Sequence, residues 1–254
     1  MGKRGTQVAR DAASIVLLDD ELSSLAEAVK MGRRIRDNLS KAMAYIIAVH
    51  IPLCLIVLVP VLLGWPTIFW PAHIVCMELI IDPTCSVVLE AEPEEKDVMN
   101  RPPAGSSDRI VSRRVLILSS IQGLVVTVCS LFVYHFARMT AHCEGAATAM
   151  AFVTLVVANI ALVITNRSWT ETFYQSFKRQ NIPLWVLVII VFPSLLFTIH
   201  HHHLHKVMHF DHISHFSTAI CIFVGLCSVA WFELYKLAHQ HARLRYAPSL
   251  DLET

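Results

Sequence analysis

The sequence predicts an all-α, polytopic membrane protein with six transmembrane helices. Three observations carry that expectation. Of the 254 residues, 55% are hydrophobic and 16% are charged, where a soluble domain carries about a quarter charged residues; mean hydropathy is +0.54. Six apolar runs, 41–63, 67–90, 114–136, 146–165, 183–199 and 215–236, approach the roughly 20 residues that cross a bilayer as a helix. Finally, the basic residues are one-sided. With the N-terminus in the cytoplasm, residues 1–40, the 91–113 and 166–182 loops and the tail 237–254 lie inside. Only Arg138 and Lys206 of the 21 Lys and Arg then fall outside, as the positive-inside rule requires. An even number of spans returns the C-terminus to the cytoplasm.

The elements follow in order. The N-terminus is polar for dozens of residues before the first apolar run, so no signal peptide is expected. "MGKRGT" has the spacing of a myristoylation signal, with Gly2 and Thr6 in place, but the motif is short. "ASIVLLDD", 13–20, reads as a short buried strand ending in two acids. "ELSSLAEAVKMGRRIRDNLSKAMAYII", 21–47, reads as one long helix broken by nothing but Gly32. It passes from polar to apolar sequence without a stop signal, which makes it a mechanical link between water and membrane. "GWPT", 64–67, closes a very tight turn, so the first two spans form a hairpin. The fifth run is the shortest. Of the seven cysteines, all but Cys143 lie in apolar runs without CxxC spacing. They read as small buried side chains rather than a disulfide framework or a zinc site.

The second run holds "CMELIIDPTCSVVLEAEP", 76–93. An ionisable side chain at mid-bilayer costs about 2.5–3.5 kcal/mol or more, so it marks a functional site by default. Glu78 and Asp82 are spaced i, i+4 and project from one helix face. Pro83 has no N–H to donate and disfavours helical geometry at Asp82, so the helix is expected to loosen beside the carboxylate. Carboxylates next to an unwound backbone with free carbonyls suit a midplane cation, and hard oxygen ligands suit alkali and alkaline-earth cations and manganese. The competing reading is a protonated acid pair that packs helices together. His50 lies midway along the first span, two residues before Pro52, and Asn159 lies midway along the fourth. Either could face the acids in a bundle, although each alone is more often an interior hydrogen-bonding residue.

"HHHHLHKVMHFDHISH", 200–215, contains eight histidines: His200, His201, His202, His203, His205, His209, His212 and His215. On the assigned orientation it is an outward loop. Imidazole is the commonest transition-metal ligand, so His200 to His203, His205 and His209 are a candidate outer metal loop. The alternative is a polar loop with incidental metal affinity.

In this order, these segments resemble the C-terminal part of a P-type cation-transporting ATPase of the P2 kind, the group that includes calcium pumps. Residues 1–40 resemble the end of that family's phosphorylation domain (1–22) and its stalk helix (23–40), with the transmembrane domain at 41–236 and a cytoplasmic tail at 237–254. "MELIIDP" resembles the family's ion-binding sixth helix, and "EAEPEEKDVMNRPP" its next cytoplasmic loop. The six spans would be family helices five to ten, preceded by a short remnant of the α/β phosphorylation domain. The resemblance implies cation ligands at Glu78, Asp82, Asn159 and His50, with helix unwinding at Pro83 and Pro52. His50 stands where calcium pumps have Asn, and Leu53 and Ile81 stand where they have ligands, so the set is thinner than a two-calcium site. Cys85 is a further candidate as a soft ligand. A divalent ion such as Ca2+ or Mn2+, or H+, is the expected cargo.

The Asp-Lys-Thr-Gly-Thr phosphorylation motif and the family's other catalytic motifs are absent from this sequence. ATP and Mg2+ are therefore expected to act in a complete pump, outside this chain. The expected partners are the lipid bilayer and the missing N-terminal half, in the same chain or a separate polypeptide; no nucleic acid is expected. The expected location is a bacterial-type plasma membrane. Two alternatives use the same residues: a self-standing secondary transporter or channel, and an inactive truncation. Residues 1–40 make sense as a stalk and have no obvious use in a channel.

Overall fold

A computed structural model describes residues 2, 5–103, 105, 109–141, 143–169 and 180–246. The side chains at 85, 86, 141, 200, 202, 203 and 239–246 fall outside the description. Part of "MGKRGT", residues 170–179 of the 166–182 loop and the end of the tail lie outside the described residues.

The described chain is helical. Thr6 caps α1 (Gln7–Asp11), its hydroxyl accepting the Ala9 N–H. α2 then runs unbroken from Leu22 to Leu63. α3 spans Pro71–Pro83 and passes into a π-helical segment, Thr84–Leu89. α4 (Arg113–Ala141), α5 (Glu144–Asn166), α6 (Ile182–His200), the short α7 (His202–Met208) and α8 (His215–Tyr246) follow. Six helical segments are long and apolar enough to cross a membrane: Leu22–Leu63, Pro71–Leu89, Arg113–Thr140, Glu144–Asn166, Ile182–Ile199 and His215–Ala238. Large apolar side chains such as Val61, Leu62, Phe132, Ile189, Ile190 and Phe223 cover the outer surface of the bundle. Such a surface requires lipid, and the protein is an integral, multi-pass membrane protein.

α5 forms the centre, with nearly all its residues from Ala146 to Asn166 buried. α4 and α8 pack against it, and α2 packs against α4. Two glycines permit these approaches. A Cβ at Gly225 of α8 would lie 2.9 Å from the Thr154 carbonyl oxygen, and one at Gly123 of α4 would lie 2.7 Å from the Ala48 oxygen. The second contact has a sequence cause. Pro52 has no N–H for the carbonyl four residues earlier, that of Ala48, and the Gly123 backbone packs beside that oxygen. This lets α2 continue through Pro52, where opening was expected.

Three local expectations change. The segment 13–20 is irregular, with Ile15 and Leu18 largely exposed, and no strand occurs among the described residues. A strand needs a ladder partner for its backbone groups, and no strand among the described residues pairs with this segment. The turn after the first span is longer than "GWPT". Gly64 closes α2 at φ 64°, and helix resumes only at Pro71, the first helical position, where a fixed φ and missing N–H are tolerated. The histidine-rich segment is partly helical, because Leu204 and Met208, one turn apart, give it an apolar edge that leaves Met208 buried while Val207 stays exposed.

Candidate cation site

α3 positions the carboxylates. Its first turn is pinned by His73, whose Nδ1 accepts the Trp70 N–H at 2.9 Å. Ring Nδ1 therefore carries no proton, and Nε2 donates to the Met208 carbonyl at 2.7 Å. His73 is fully buried and ties the entrance of α3 to the end of α7. Further along, Met77 and Ile81 face the bundle and are buried, while Asp82 is exposed and the Glu78 side chain is 39% exposed.

α2 brings His50 to this outer face. Its Nε2 lies 3.8 Å from Glu78 Oε1. Its Nδ1 lies 2.9 Å from the Ile46 carbonyl oxygen, which can only accept, so Nδ1 carries the proton. In the unprotonated ring, Nε2 presents its lone pair to Glu78. Asn159 reaches α3 on a different side. It is fully buried on α5, with Nδ2 3.6 Å from Met77 Sδ, and its Oδ1 has no hydrogen-bond partner among the described residues. The structure thus unites His50 with Glu78 and stands Asp82 one turn on. It sets Asn159 behind Met77 rather than beside the acids. Leu53 and Ile81 are buried hydrocarbon.

The backbone loosens just past the second acid. α geometry persists through Asp82 and Pro83, and π geometry takes over at Thr84. Thr84 Oγ1 donates to the Ile80 carbonyl at 2.6 Å, and its N–H reaches the Ile80 and Ile81 carbonyls. The expected unwinding therefore takes the form of a wider helix, in which Thr84 rather than Pro83 bonds back to the preceding turn. Single π turns concentrate at functional sites.

The far end of α3 is held by a polar clasp that the sequence reading did not single out. The loop after the π segment is gripped by α2. Arg33 donates to the carbonyls of Val98 and Arg101, both at 2.8 Å, and Arg34 Nε to that of Glu92 at 2.9 Å. Asn38 Nδ2 donates to the same Glu92 oxygen at 2.7 Å. Lys41 and Glu95 form a buried pair at 2.7 Å, and Ser168 donates to the second Glu95 oxygen. Glu92 is the centre. Both it and Arg167 are 0% exposed and meet at 2.8 Å, and Asn181 Nδ2 donates to Glu92 Oε2 at 2.7 Å. At the solvent edge Arg101 bonds Asp97 and Asp37. The Asp97 hydrogen bonds, ahead of the Asp37 charge, hold the guanidinium above its ordinary pKa. Lys30, bonded to Glu94 at 2.6 Å, holds that carboxyl below its usual range. The available signal was the placement of Glu92, Glu95, Arg167, Ser168 and Asn181 at ends of apolar runs expected on one membrane side.

At the opposite end, His209 stacks on Trp70 with ring centroids 4.6 Å apart, and His205 Nε2 contacts the Ile199 carbonyl. With Glu144, Asp211 and His212 they line an open cavity of about 740 Å³. Cys143 donates its thiol to Asp211 at 2.7 Å, which raises the thiol pKa. No three described His, Cys, Asp or Glu side chains are grouped to hold a metal. The side chains of His200, His202, His203 and Cys85 lie outside the described residues. The six described cysteines are free thiols; Cys221 is buried, whereas Cys54 and Cys227 lie on the outer surface.

Residues 66–238 match the family described as "Cation transporting ATPase, C-terminus". The chain is 31% identical over 208 residues to the calcium-transporting ATPase of Bacillus subtilis, covering 77% of this chain and 23% of that protein. It is 26% identical over 195 residues to calcium-transporting ATPase 1 of Lactococcus lactis, covering 77% and 22%. It is 23% identical over 175 residues to calcium-transporting ATPase type 2C member 1 of the mouse, covering 69% and 19%. The chain spans less than a quarter of the length of these relatives.

Proposed function

The chain belongs to the cation-transporting ATPase family, matching its C-terminal part, and on that premise we propose that it is the membrane transport domain of an ATP-driven cation pump. The transported ion sits between Glu78 and Asp82 near the bilayer midplane, with His50 beside them. One observation carries this reading: two carboxylates one turn apart on the outer face of a membrane span, with an imidazole from the neighbouring span 3.8 Å from the first. Ionisable groups at that depth are too costly to serve packing alone. The relatives' names favour Ca2+ as cargo; Mn2+ or H+ fits the same acids. Asn159, behind Met77, contributes only if α3 rotates.

The chain acts here as one part of a longer or split pump. ATP and Mg2+ supply the driving reaction on that other part, because the phosphorylation motif is absent from this sequence. What this chain adds is transmission. α2 is continuous from Leu22 into the membrane, and Arg33, Arg34, Asn38 and Lys41 fasten it to the loop that ends the acid-bearing segment. A tilt of the rod's cytoplasmic half would pull on that loop and on the π segment, changing which side reaches Glu78 and Asp82. The basic residues favour cytoplasmic termini, in a bacterial-type plasma membrane.

The test is cation-stimulated ATP hydrolysis by the complete pump carrying Glu78→Ala and Asp82→Ala together. Stimulation is expected to vanish while the protein still inserts and purifies as wild type does. Unaltered stimulation would overturn the site.

A further inference from the structure

We propose that residues 201–214 form an outer latch on the acid-bearing helix, with His73 as its positioning residue. Closed, the latch fixes the outer end and the rotational setting of α3. Its opening is the step that lets the ion site reach the extracytoplasmic side. This rests on the reading of Glu78 and Asp82 as the ion site and on cytoplasmic termini.

The latch has a fixed side and a moving side. On the fixed side it is seated on α5, the buried centre of the bundle. Asp211 accepts the thiol of Cys143, the N-cap of α5, at 2.7 Å. The Asp211 carboxyl lies over Gly145, where a Cβ would come within 2.8 Å of its Cγ. Phe210 is buried against Phe152 with ring centroids 5.4 Å apart. On the moving side the latch holds α3. His73 Nε2 donates to the Met208 carbonyl at 2.7 Å, and its ring stacks on Phe210 at 5.0 Å. His209 stacks on Trp70, the N-cap of α3.

α3 depends on such a hold. Its buried residues are His73, Met77 and Ile81, a single stripe of neighbours four apart, while Val75 and Leu79 are exposed. The clasp fastens its cytoplasmic end and the latch its outer end, with the acids between. Glu78 stands about 7.5 Å along the axis from His73, and each residue turns the helix by about 100°. The bond at His73 therefore keeps Met77 inward and Glu78 outward.

The latch is also built to open. His209 ends α7 at φ 51°, in the left-handed region. A residue with a Cβ holds that conformation at a cost, and such residues collect at switch regions. What holds His209 there is the Trp70 stack, together with the Phe210 N–H bonded to the His205 carbonyl at 3.0 Å. The open cavity lined by Thr67, Trp70 and Thr148 lies against the latch and gives it room to move.

The experiment staples the latch shut. In the complete pump, Asp211→Cys places a second thiol beside Cys143. Diamide takes one hydrogen from each thiol as the S–S bond forms, and dithiothreitol reverses it. Wild type and the Asp211→Cys, Cys143→Ser variant, treated alike, set the baseline for the other thiols. Relative to that baseline, the stapled pump is expected to lose cation-stimulated ATP hydrolysis about tenfold, within the usual range of a coupling between sites, and to regain it with dithiothreitol. Equilibrium binding of 45Ca2+ or 54Mn2+ is expected to keep its stoichiometry. Undiminished hydrolysis overturns the latch. So does failure to bridge, because the segment then does not rest on α5, and so does loss of binding, because the staple then distorts the site. For His73 the readout is loss of bound ion to the outer solution from proteoliposomes without ATP. His73→Leu should speed it about tenfold, and His73→Gln, which keeps a donor and an acceptor, should leave it near wild type. A wild-type rate in His73→Leu, with a lowered unfolding temperature, leaves His73 a structural role and overturns its positioning role. Full stimulation in the Glu78→Ala, Asp82→Ala variant, run alongside, overturns the site reading and leaves the latch to the staple.

Discussion

Replacing Glu92 by Ala should be among the most damaging single changes outside the ion site. Its Oε2 accepts from Arg167 Nε at 2.8 Å and from Asn181 Nδ2 at 2.7 Å, and its Oε1 accepts from the other Arg167 nitrogen at 3.2 Å. The alanine removes all three bonds and leaves a guanidinium whose side chain is 0% exposed without its counter-charge. Breaking a buried pair by deleting one partner costs about 3–5 kcal/mol, a large share of a total stability on the order of 5–15 kcal/mol. The assay is thermal unfolding in mild detergent of a variant that keeps Cys221, buried in the fold, as its sole cysteine, followed by a thiol-reactive fluorophore. The diagnostic is the double-mutant cycle. Arg167→Met alone strands the carboxylate and should be nearly as harmful. The pair together should recover most of the loss, because an apolar replacement of a buried ion pair is often neutral. A Glu92→Ala protein within about 0.5 kcal/mol of wild type, the usual range for a surface substitution, would refute the reasoning. So would strictly additive single effects, since these residues touch and must couple.

Three further outcomes follow from the packing. Gly123→Val should force α4 away from α2, because even a Cβ would lie 2.7 Å from the Ala48 oxygen and 2.9 Å from Ile51 Cβ; overpacking of this kind costs about 1–3 kcal/mol, read as a lower unfolding temperature. His73→Leu should orphan the buried Met208 carbonyl, at about 1–3 kcal/mol, and release the part-buried Trp70 N–H, with faster hydrogen exchange confined to the outer ends of α3 and α7. In a variant keeping Cys143 as its sole cysteine, Asp211→Asn should speed labelling by an impermeant maleimide at neutral pH. The bond to Asp211 raises the thiol pKa, so removing the carboxylate lowers it and enlarges the thiolate fraction that reacts. Labelling from the cytoplasmic face alone would contradict the orientation.

The spans were legible because each is an unbroken apolar run, and the long rod because nothing between Glu21 and Leu63 stops a helix except prolines it can accommodate. The acid pair was legible because i, i+4 spacing decides a shared face without any tertiary knowledge. His50 met Glu78 because adjacent spans joined by a short connection must pack side by side. Asn159 shows the limit. One residue along α3 turns the contact by about 100°, so a sequence that places Asn159 at the right depth does not say whether it meets Glu78 or Met77. The clasp was not legible for another reason. Arg167 and Glu92 are 75 positions apart and Asn181 and Glu92 are 89 apart, and no local pattern pairs them. The strand at 13–20 failed because β-propensity expresses itself only where a neighbouring strand is present. The histidine segment was read by composition, which hid Leu204 and Met208, one helical turn apart, in its helical part.

The most direct test of the central claim is equilibrium binding of 54Mn2+ and 45Ca2+ to the purified complete pump, without ATP, in wild type and in a Glu78→Gln, Asp82→Asn double variant. These changes keep side-chain size and remove charge. The account expects saturable binding in wild type and its loss in the double variant, with Arg33→Gln retaining binding because the clasp transmits motion and does not touch the ion. Saturable binding of wild-type stoichiometry and affinity in the double variant would contradict the account.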